Sequence, residues 1–453
     1  MVVACLYVPA AANGDAPKLR VVGNHLVDAS SGLVFVPRGV NWPSFEYACE
    51  NGYGYSNTRA PGTRHVGPDA AGAAAIARWH INVVRLPLNQ DCWLGEDGLP
   101  AFGKRAGYRG AVRRWVARLH AAGIVVILDL HWSGPAGVRA DGQRPMADDR
   151  SDDFWRSVAR TFNRDRSVIF DVFNEPFSVP GRLDLSWACW RDGGCQAPVV
   201  DAPGSATFTT VGMQTLVDAV RSTGARQPII LTGRGFGNDL DGWAANRPVG
   251  EGLLAGFHNY DISPCKVQSC WDATIAPLAQ QVPVVTAEMA AADCKATHVK
   301  AFMNWADDRD VGYLIWAWWL LPGRSCTSLA VIRDVKGTPR KPNGTALKAH
   351  LAKLVPRVSL DLDRSQALDG AIELGVSCRA RCWVSPSGRV RAGGRTFRLS
   401  GRPRLVAARR TGTFELAVPR VALRAATASA RVSALVSNGS HTTRRRAAVK
   451  LAR

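Results

Sequence analysis

The 453-residue sequence predicts an α/β chain: a (β/α)8 TIM barrel followed by a small C-terminal all-β, sandwich-like domain. Three observations carry this. Between residues 33 and 355, eight short β-branched runs alternate with longer amphipathic segments. Most of the runs are apolar without a break, as in parallel strands covered on both faces. Beyond Pro356 the texture changes to short alternating runs separated by Gly, Pro and Ser. An open doubly wound sheet fits less well, because it usually has fewer strands and a Gly-rich phosphate turn. No G-x-G-x-x-G follows the first run here.

The runs fall at 33–40, 81–86, 124–130, 168–173, 228–231, 253–257, 282–286 and 313–318. Helical periodicity is clearest at 108–122, 152–163, 212–223, 296–307 and 344–354. Gly123 and Gly224 follow two of these segments, where a left-handed residue ends a helix. In the C-terminal part the alternating runs are 396–399, 414–418 and 431–436. The expected organisation is 1–16 a truncated signal peptide, 17–355 the barrel, and 356–453 a basic β-rich accessory domain.

The signal reading rests on a short apolar run from Val2 to Val8, followed by Pro9-Ala10-Ala11-Ala12 with its A-x-A pattern. A basic n-region is lacking, and an ordinary frayed terminus is the alternative. No stretch reaches the roughly 18–20 apolar residues of a membrane span. Eleven cysteines less Cys5 leave ten, an even number that suits disulfides in an oxidising compartment. Cys189 with Cys195 and Cys265 with Cys270 are local couples; Cys49 and Cys92 sit in loops beside aromatic residues, and Cys294 and Cys326 in loops after the last two runs. Cys378 and Cys382 need a turn between them to meet. No C-x-x-C occurs, so a zinc site is not expected.

Composition excludes little beyond fibrous and disordered classes: 46% of residues are hydrophobic and 21% charged. The net charge of +20 suggests an anionic partner at first sight. It is not spread evenly. Residues 357–453 hold 20 Lys+Arg and 5 Asp+Glu, whereas the first 356 hold 37 and 32. The barrel is thus nearly balanced, and suited to a neutral substrate. Nucleic-acid binding is not expected, since the basic region offers only Trp383, Phe397 and Phe414 for stacking. For the basic region two readings stand, binding to an insoluble glycan or an anionic cell-envelope polymer, and a passive module, which the excess of Arg over Lys, 47 to 10, favours somewhat.

In a (β/α)8 barrel the chemistry lies at the C-terminal ends of the strands. Reading only those ends gives Arg85, His131, Asn174-Glu175, His258, Tyr260, Glu288 and Trp316. Two carboxylates from opposite walls, among Arg, His, Tyr, Asn and Trp, suit a reaction that needs one acid and one carboxylate nucleophile, as in glycoside hydrolysis.

Six ordered motifs sharpen this: Arg38-Gly39-Val40-Asn41-Trp42, Val84-Arg85-Leu86-Pro87-Leu88-Asn89, Asp129-Leu130-His131-Trp132, Phe173-Asn174-Glu175-Pro176, Phe257-His258-Asn259-Tyr260 and Ala287-Glu288-Met289. With them the chain resembles glycoside hydrolase family 5, the cellulase-type β-glycanases. The resemblance implies a retaining endo-β-glycanase that needs no metal or cofactor, with Glu175 as acid/base and Glu288 as nucleophile. It implies Arg85, His131, Asn174, His258, Tyr260 and Trp316 around the reactive sugar. A nearby second carboxylate is expected to raise the pKa of Glu175. Arg85 and Tyr260 are expected to hold Glu288 ionised. Asn174 is placed to bond the sugar 2-hydroxyl, and Trp316 to offer a flat apolar face. The expected substrate is a β-1,4-glucan; β-mannan, xyloglucan or a glycolipid share the mechanism. Intact Glu175, Glu288 and Arg85 argue against a catalytically silent glycan-binding barrel. A secreted monomer is expected.

The loops carry Trp42, Phe45, Tyr47, Tyr53, Tyr55, Trp93, Trp132, Trp187 and Trp190. Such rings either stack on a chain of sugars or fill the underside of long loops. Alternation along the eighth run places Trp316 and Trp318 on one face.

Overall fold

The computed structural model describes residues 15–51, 55, 68–95, 106–200, 206–321, 326, 329–425, 427–439 and 442–452. The signal-like segment up to residue 14, with Cys5, and Tyr53 lie outside these. Eight parallel strands close into a barrel: β1 (Arg38–Asn41), β2 (Val83–Asn89), β3 (Val125–Trp132), β4 (Val168–Asp171), β5 (Ile229–Thr232), β6 (Leu253–Tyr260), β7 (Val284–Ala290) and β8 (Gly312–Ile315). They follow one another around the barrel in chain order. Each overlaps one of the eight runs read from the sequence. Strands β2, β3, β6 and β7 run further than read, so His131, His258, Tyr260 and Glu288 lie within strands rather than after them, while Arg85 falls inside the run already read.

Helices α1 (Ala70–Ala77), α2 (Ala106–Ala121), α3 (Ser151–Phe162), α4 (Met213–Arg221), α5 (Thr297–Asp307) and α6 (Asn343–Leu354) pack outside. A segment at 268–279 with a π-helical turn follows β6, and β5 leads to β6 through turns instead of a helix. In α3 the apolar stripe Phe154, Trp155, Val158, Ala159 and Phe162 is buried, at the 3–4 residue spacing of one helical face. Helix α1 escapes such a reading because it is almost all alanine and glycine; Asp69 caps it by accepting from Gly72 N.

The N-terminal end of the barrel is plugged. A hairpin of Leu19–Val22 and His25–Asp28 sets Leu19 and Leu26 against the inward-facing Val83, Val125, Ile127, Ile169, Ile230, Leu254, Val285 and Leu314. This apolar layer makes a dry floor. Polar inward positions begin only above it.

After α6 come nine strands: β9 (Val358–Asp361), β10 (Ser365–Ala367), β11 (Ala371–Cys378), β12 (Cys382–Ala392), β13 (Arg395–Ser400), β14 (Arg404–Val406), β15 (Thr411–Ala417), β16 (Thr427–Ser437) and β17 (Thr442–Ala452). Sheet β9-β11-β15 faces sheet β10-β17-β16-β12-β13, to which β14 is added alongside β12. Alternate residues of both sheets, among them Ile372, Leu374, Leu416, Val384, Val432 and Val449, share one buried cluster separate from that of the barrel. This unit touches the barrel floor. Val36 N donates to Gly439 O at 2.6 Å, Arg38 Nη1 to Asn438 O at 3.2 Å, and Arg381 pairs with Asp310 at 2.5 Å.

Five disulfides join Cys49–Cys92, Cys189–Cys195, Cys265–Cys270, Cys294–Cys326 and Cys378–Cys382, with Cα–Cα distances from 5.3 to 6.3 Å. The last spans the turn between β11 and β12. No helix among the described residues is long and apolar enough to cross a membrane.

Candidate active site

Side chains two apart on a strand point the same way, so the inward row of each strand climbs from the dry floor to the mouth. From Val83 the row reaches Arg85. From Val125 and Ile127 it reaches Asp129 and His131, from Ile169 Asp171, and from Ile230 Thr232. A change from aliphatic to polar or charged along the same inward rows builds the site.

Arg85 is the hub and is fully buried. Its Nε donates to Asp171 Oδ2 at 2.9 Å. Its Nη1 donates to Glu288 Oε1 at 2.7 Å and to Asn41 Oδ1 at 3.1 Å. Its Nη2 donates to Asn174 Oδ1 at 2.7 Å and lies 3.0 Å from Asp129 Oδ1. Burial alone lowers a guanidinium's pKa, but Asp129, Asp171 and Glu288 outweigh it and the net direction is up. Such a cation never gives up its proton here. It anchors the carboxylates of three strands.

Glu288 is held from two sides, by Arg85 and by Tyr260 Oη, which donates to Oε2 at 2.7 Å. The register of β6 on β7 shifts after Phe257, so that His258 comes level with Glu288. His258 Nδ1 lies 3.8 Å from Glu288 Oε2 and 2.7 Å from Glu175 Oε1. Glu175 stands just past β4, beside Asn174, whose N–H donates to Leu130 O at 3.1 Å. The other oxygen of Glu175 accepts from Gln143 Nε2 at 2.8 Å.

Burial is the first cause that pushes the Glu175 carboxyl up, against the Gln143 hydrogen bond and the charges of His131 and Arg85. The expected direction is right, but desolvation and not the neighbouring carboxylate dominates. Burial also pushes Asp129 and Asp171 up to about 7 and His131 and His258 down to about 4. Tyr260 is driven well above its ordinary value by burial and then by Glu288, so it stays a donor. Two polar atoms in the site, His258 Nε2 and Asn174 Nδ2, are buried without a partner among the described residues. With Asn174 Oδ1 committed to Arg85, Nδ2 is the donor left for a ligand.

His131 Nδ1 lies 2.7 Å from Asp129 Oδ2, and its ring stacks on Trp316 at 5.4 Å and 9°. All eight residues read from the strand ends are therefore brought together. Sequence alternation misplaces Trp318, which is buried against Trp79 outside the barrel. The strand has already ended at Ile315, and its two-residue period no longer applies.

Most loop rings fill the undersides of loops. Trp42, Phe45, Tyr47, Trp93 and Trp190 are buried, and only Tyr55, Trp132 and Trp187 keep partial exposure. A ring the sequence reading passed over is more open: Phe236 is 49% exposed. It stacks on Phe177 at 4.5 Å and 9°, and its N–H donates to Pro176 O at 3.0 Å. Next to it Gly237 has φ +74°, and a Cβ there would lie 2.8 Å from His258 Cγ. A side chain at that position would displace the histidine beside Glu175.

Asn41, Asp129, Asp171 and Gln143 also belong to the site but were not singled out. Asp129 and Asp171 could have been found as lone charges inside apolar runs, where an unpaired carboxylate is not tolerated. Gln143 had no such signal. It sits in the loop 133–150, which Asn89 and Asp91 pin at Ala140 (2.6 and 2.7 Å) and Glu50 pins at Arg139. Those anchors neighbour the Cys49–Cys92 disulfide.

Glu175, His258 and Glu288 each offer one ligand atom, and these lie within 4.8 Å of one another. This is close enough for a cation. The guanidinium 2.7 Å from Glu288 and the hydrogen bond between Glu175 and His258 fit proton traffic better.

The family model described as cellulase (glycosyl hydrolase family 5) matches residues 44–320. Among solved structures, the β-glucanase SdGluc5_26A from Saccharophagus degradans is 19% identical with a TM-score of 0.56, over 76% of this chain and 98% of that one. The catalytic domain of the Thermobifida fusca endoglucanase Cel5A (E5) is 17% identical with a TM-score of 0.51, over 74% and 97%. At such identities the likeness is one of fold.

Proposed function

The chain belongs to glycosyl hydrolase family 5, so it is a glycoside hydrolase, and from that premise we propose that it cleaves β-1,4-glucan with retention, using Glu175 as acid/base and Glu288 as nucleophile. The observation that carries this is the short gap between the two carboxylates, an oxygen of each lying within 4.8 Å. A direct nucleophile needs carboxyl groups about 5–5.5 Å apart, whereas an intervening water needs about 6.5–9.5 Å.

Glu288 attacks the anomeric carbon as the glycosidic C–O bond breaks, and the proton of Glu175 passes to the leaving oxygen. Glu175, now ionised, takes a proton from water, whose oxygen displaces Glu288 and restores both residues. Arg85 and Tyr260 aim Glu288, each donating a hydrogen bond to one of its oxygens. Asn174 Nδ2 bonds the sugar 2-hydroxyl, and Trp316, backed by His131, packs against the sugar ring. Phe236, tied to the residue after Glu175, gives the leaving chain an apolar surface.

We further propose that the enzyme is secreted, which the five disulfides support, and that it works as a monomer. The region 356–453, with its own buried core, is an accessory module that holds the enzyme on an insoluble glycan or envelope polymer.

The test is a panel of β-glucan, β-mannan, xyloglucan and a glycolipid, with product sizing and NMR of the first-formed anomer. A β-anomer from β-glucan is expected; an α-anomer sinks the retaining assignment. Glu175→Gln should lower activity by about 10²–10⁴-fold and Glu288→Gln by more. Full activity in either variant overturns the residue roles.

A further inference from the structure

Six of the twenty basic residues of 357–453 lie on a face apart from its five acids. Asp361, Asp363, Asp369, Glu373 and Glu415 are all the acids of this region, and all line one cleft of about 800 Å3 on the side of sheet β9-β11-β15. The outer face of the opposite sheet is cationic. Its register sets Arg389 between Arg398 on β13 and Arg431 on β16. Beside this row, Arg391 faces Ser429, which faces Lys450 on β17. On the other side, Ser387 faces Ser433, which faces Arg446. All six cations are exposed, while the alternate positions Val390, Leu399, Ala430, Val432 and Val449 are buried.

Like charges directly opposite one another on neighbouring strands are destabilising. Three guanidiniums in line, with no ion pair among the described residues, therefore work against the fold that carries them. An anion laid across the row reverses that sign. We propose that the outer face of this sheet docks an acidic polysaccharide, a glycan bearing carboxylates along its length. This rests on reading the chain as a glycan-degrading enzyme.

The chemistry of the face selects that occupant. Arg forks bind carboxylates in bidentate fashion. The hydroxyls of Thr396, Ser387, Ser429 and Ser433 lie between the cations and suit sugar hydroxyls. Strands are about 4.8 Å apart, close to the length of one pyranose unit, so a chain lying along the Arg389 row meets one cation on each of β13, β12 and β16. No aromatic residue lies in these rows to stack bases, which disfavours single-stranded nucleic acid. No large apolar side chain lies there to enter a lipid surface.

Full-length protein is assayed by affinity electrophoresis in polygalacturonate and in neutral hydroxyethyl cellulose, with duplex DNA and phosphatidylglycerol vesicles compared in parallel. Binding to polygalacturonate should weaken as salt rises. It should fall at least about tenfold in the triple variant Arg389→Thr, Arg398→Thr, Arg431→Thr, as expected when several charge contacts are removed. Thr keeps strand propensity, so that variant should melt no lower than wild type. The double variant Arg391→Thr, Lys450→Thr tests the next row independently and should also weaken binding. Glu373→Gln with Glu415→Gln, on the far face, should bind no more weakly than wild type. Polygalacturonate binding that both Arg-row variants leave unchanged, or tighter row-dependent binding of DNA or vesicles, overturns the inference. Hydrolysis of soluble β-glucan is read separately: it should be equal in all these variants, and a wild type inactive on every β-glycan overturns the functional reading while leaving the binding result intact.

Discussion

Arg85 and Arg389 show two ways of keeping a cation. Arg85 is fully buried in the barrel and touches Asp129, Asp171 and Glu288. Arg389 stands exposed on the C-terminal sandwich, flanked across strands by Arg398 and Arg431. The first is held because three carboxylates surround it. The second persists because water screens what the sequence leaves unpaired. Removing a charge should therefore have opposite signs in the two regions.

The largest effect is expected at Arg85. Arg85→Met strands three buried carboxylates and should cost about 3–5 kcal/mol of stability by denaturant titration. A loss under about 1 kcal/mol would mean that the barrel charges do not depend on one another.

A second test breaks the internal balance of the same network. A carboxyl held above its ordinary pKa favours the folded chain at low pH, a contribution lost as pH rises through the folded value, about 7 for Asp129 and Asp171. A histidine held below its ordinary value favours folding above about pH 6.5, and that contribution is lost as pH falls through about 4 for His131 and His258. The two pairs oppose each other, so these four groups together should leave stability nearly level between them. Asp129→Asn removes one raised carboxyl and lets the histidines prevail. Melting temperature should then climb from about pH 4.5 to about 6.5 more steeply than in wild type; equal slopes would refute the balance.

Gln143 makes a finer cut. Its N–H favours the ionised form of Glu175, so Gln143→Met should raise that pKa and carry the alkaline limb of kcat/KM upward by about one unit. A structural role alone would lower the rate and leave the limb in place.

The smallest change belongs to the sandwich. Arg389→Thr should stabilise the fold by about 0.2–1 kcal/mol at low salt, the gain shrinking as salt rises. A loss of that size would show that Arg389 has a favourable partner.

How much of this was legible in the sequence depends on what kind of force left its mark. The eight barrel strands were, because a strand buried on both faces must be apolar throughout. The site residues at strand ends were legible for the converse reason, since polar groups end those runs. Helix α1 was not, because alanine carries no amphipathic stripe. The hairpin at Leu19–Asp28 was missed because its four-residue strands are too short for a periodic signal. Gln143 was invisible, since its position comes from loop contacts 49 to 89 residues away in the chain. Charge counting marked the C-terminal region as basic, but only the strand register gathers six of its cations on one face.

The sandwich joins the barrel at Val36, Arg38 and Asp310, at the end opposite the mouth. A molecule moored by its sandwich thus stands with its cutting edge facing outward, at least the length of a barrel strand, about 20 Å, from the mooring. On the proposed docking, it would cut chains that reach it from its surroundings and not the one beneath its foot, so the mooring and the substrate would be different polymers.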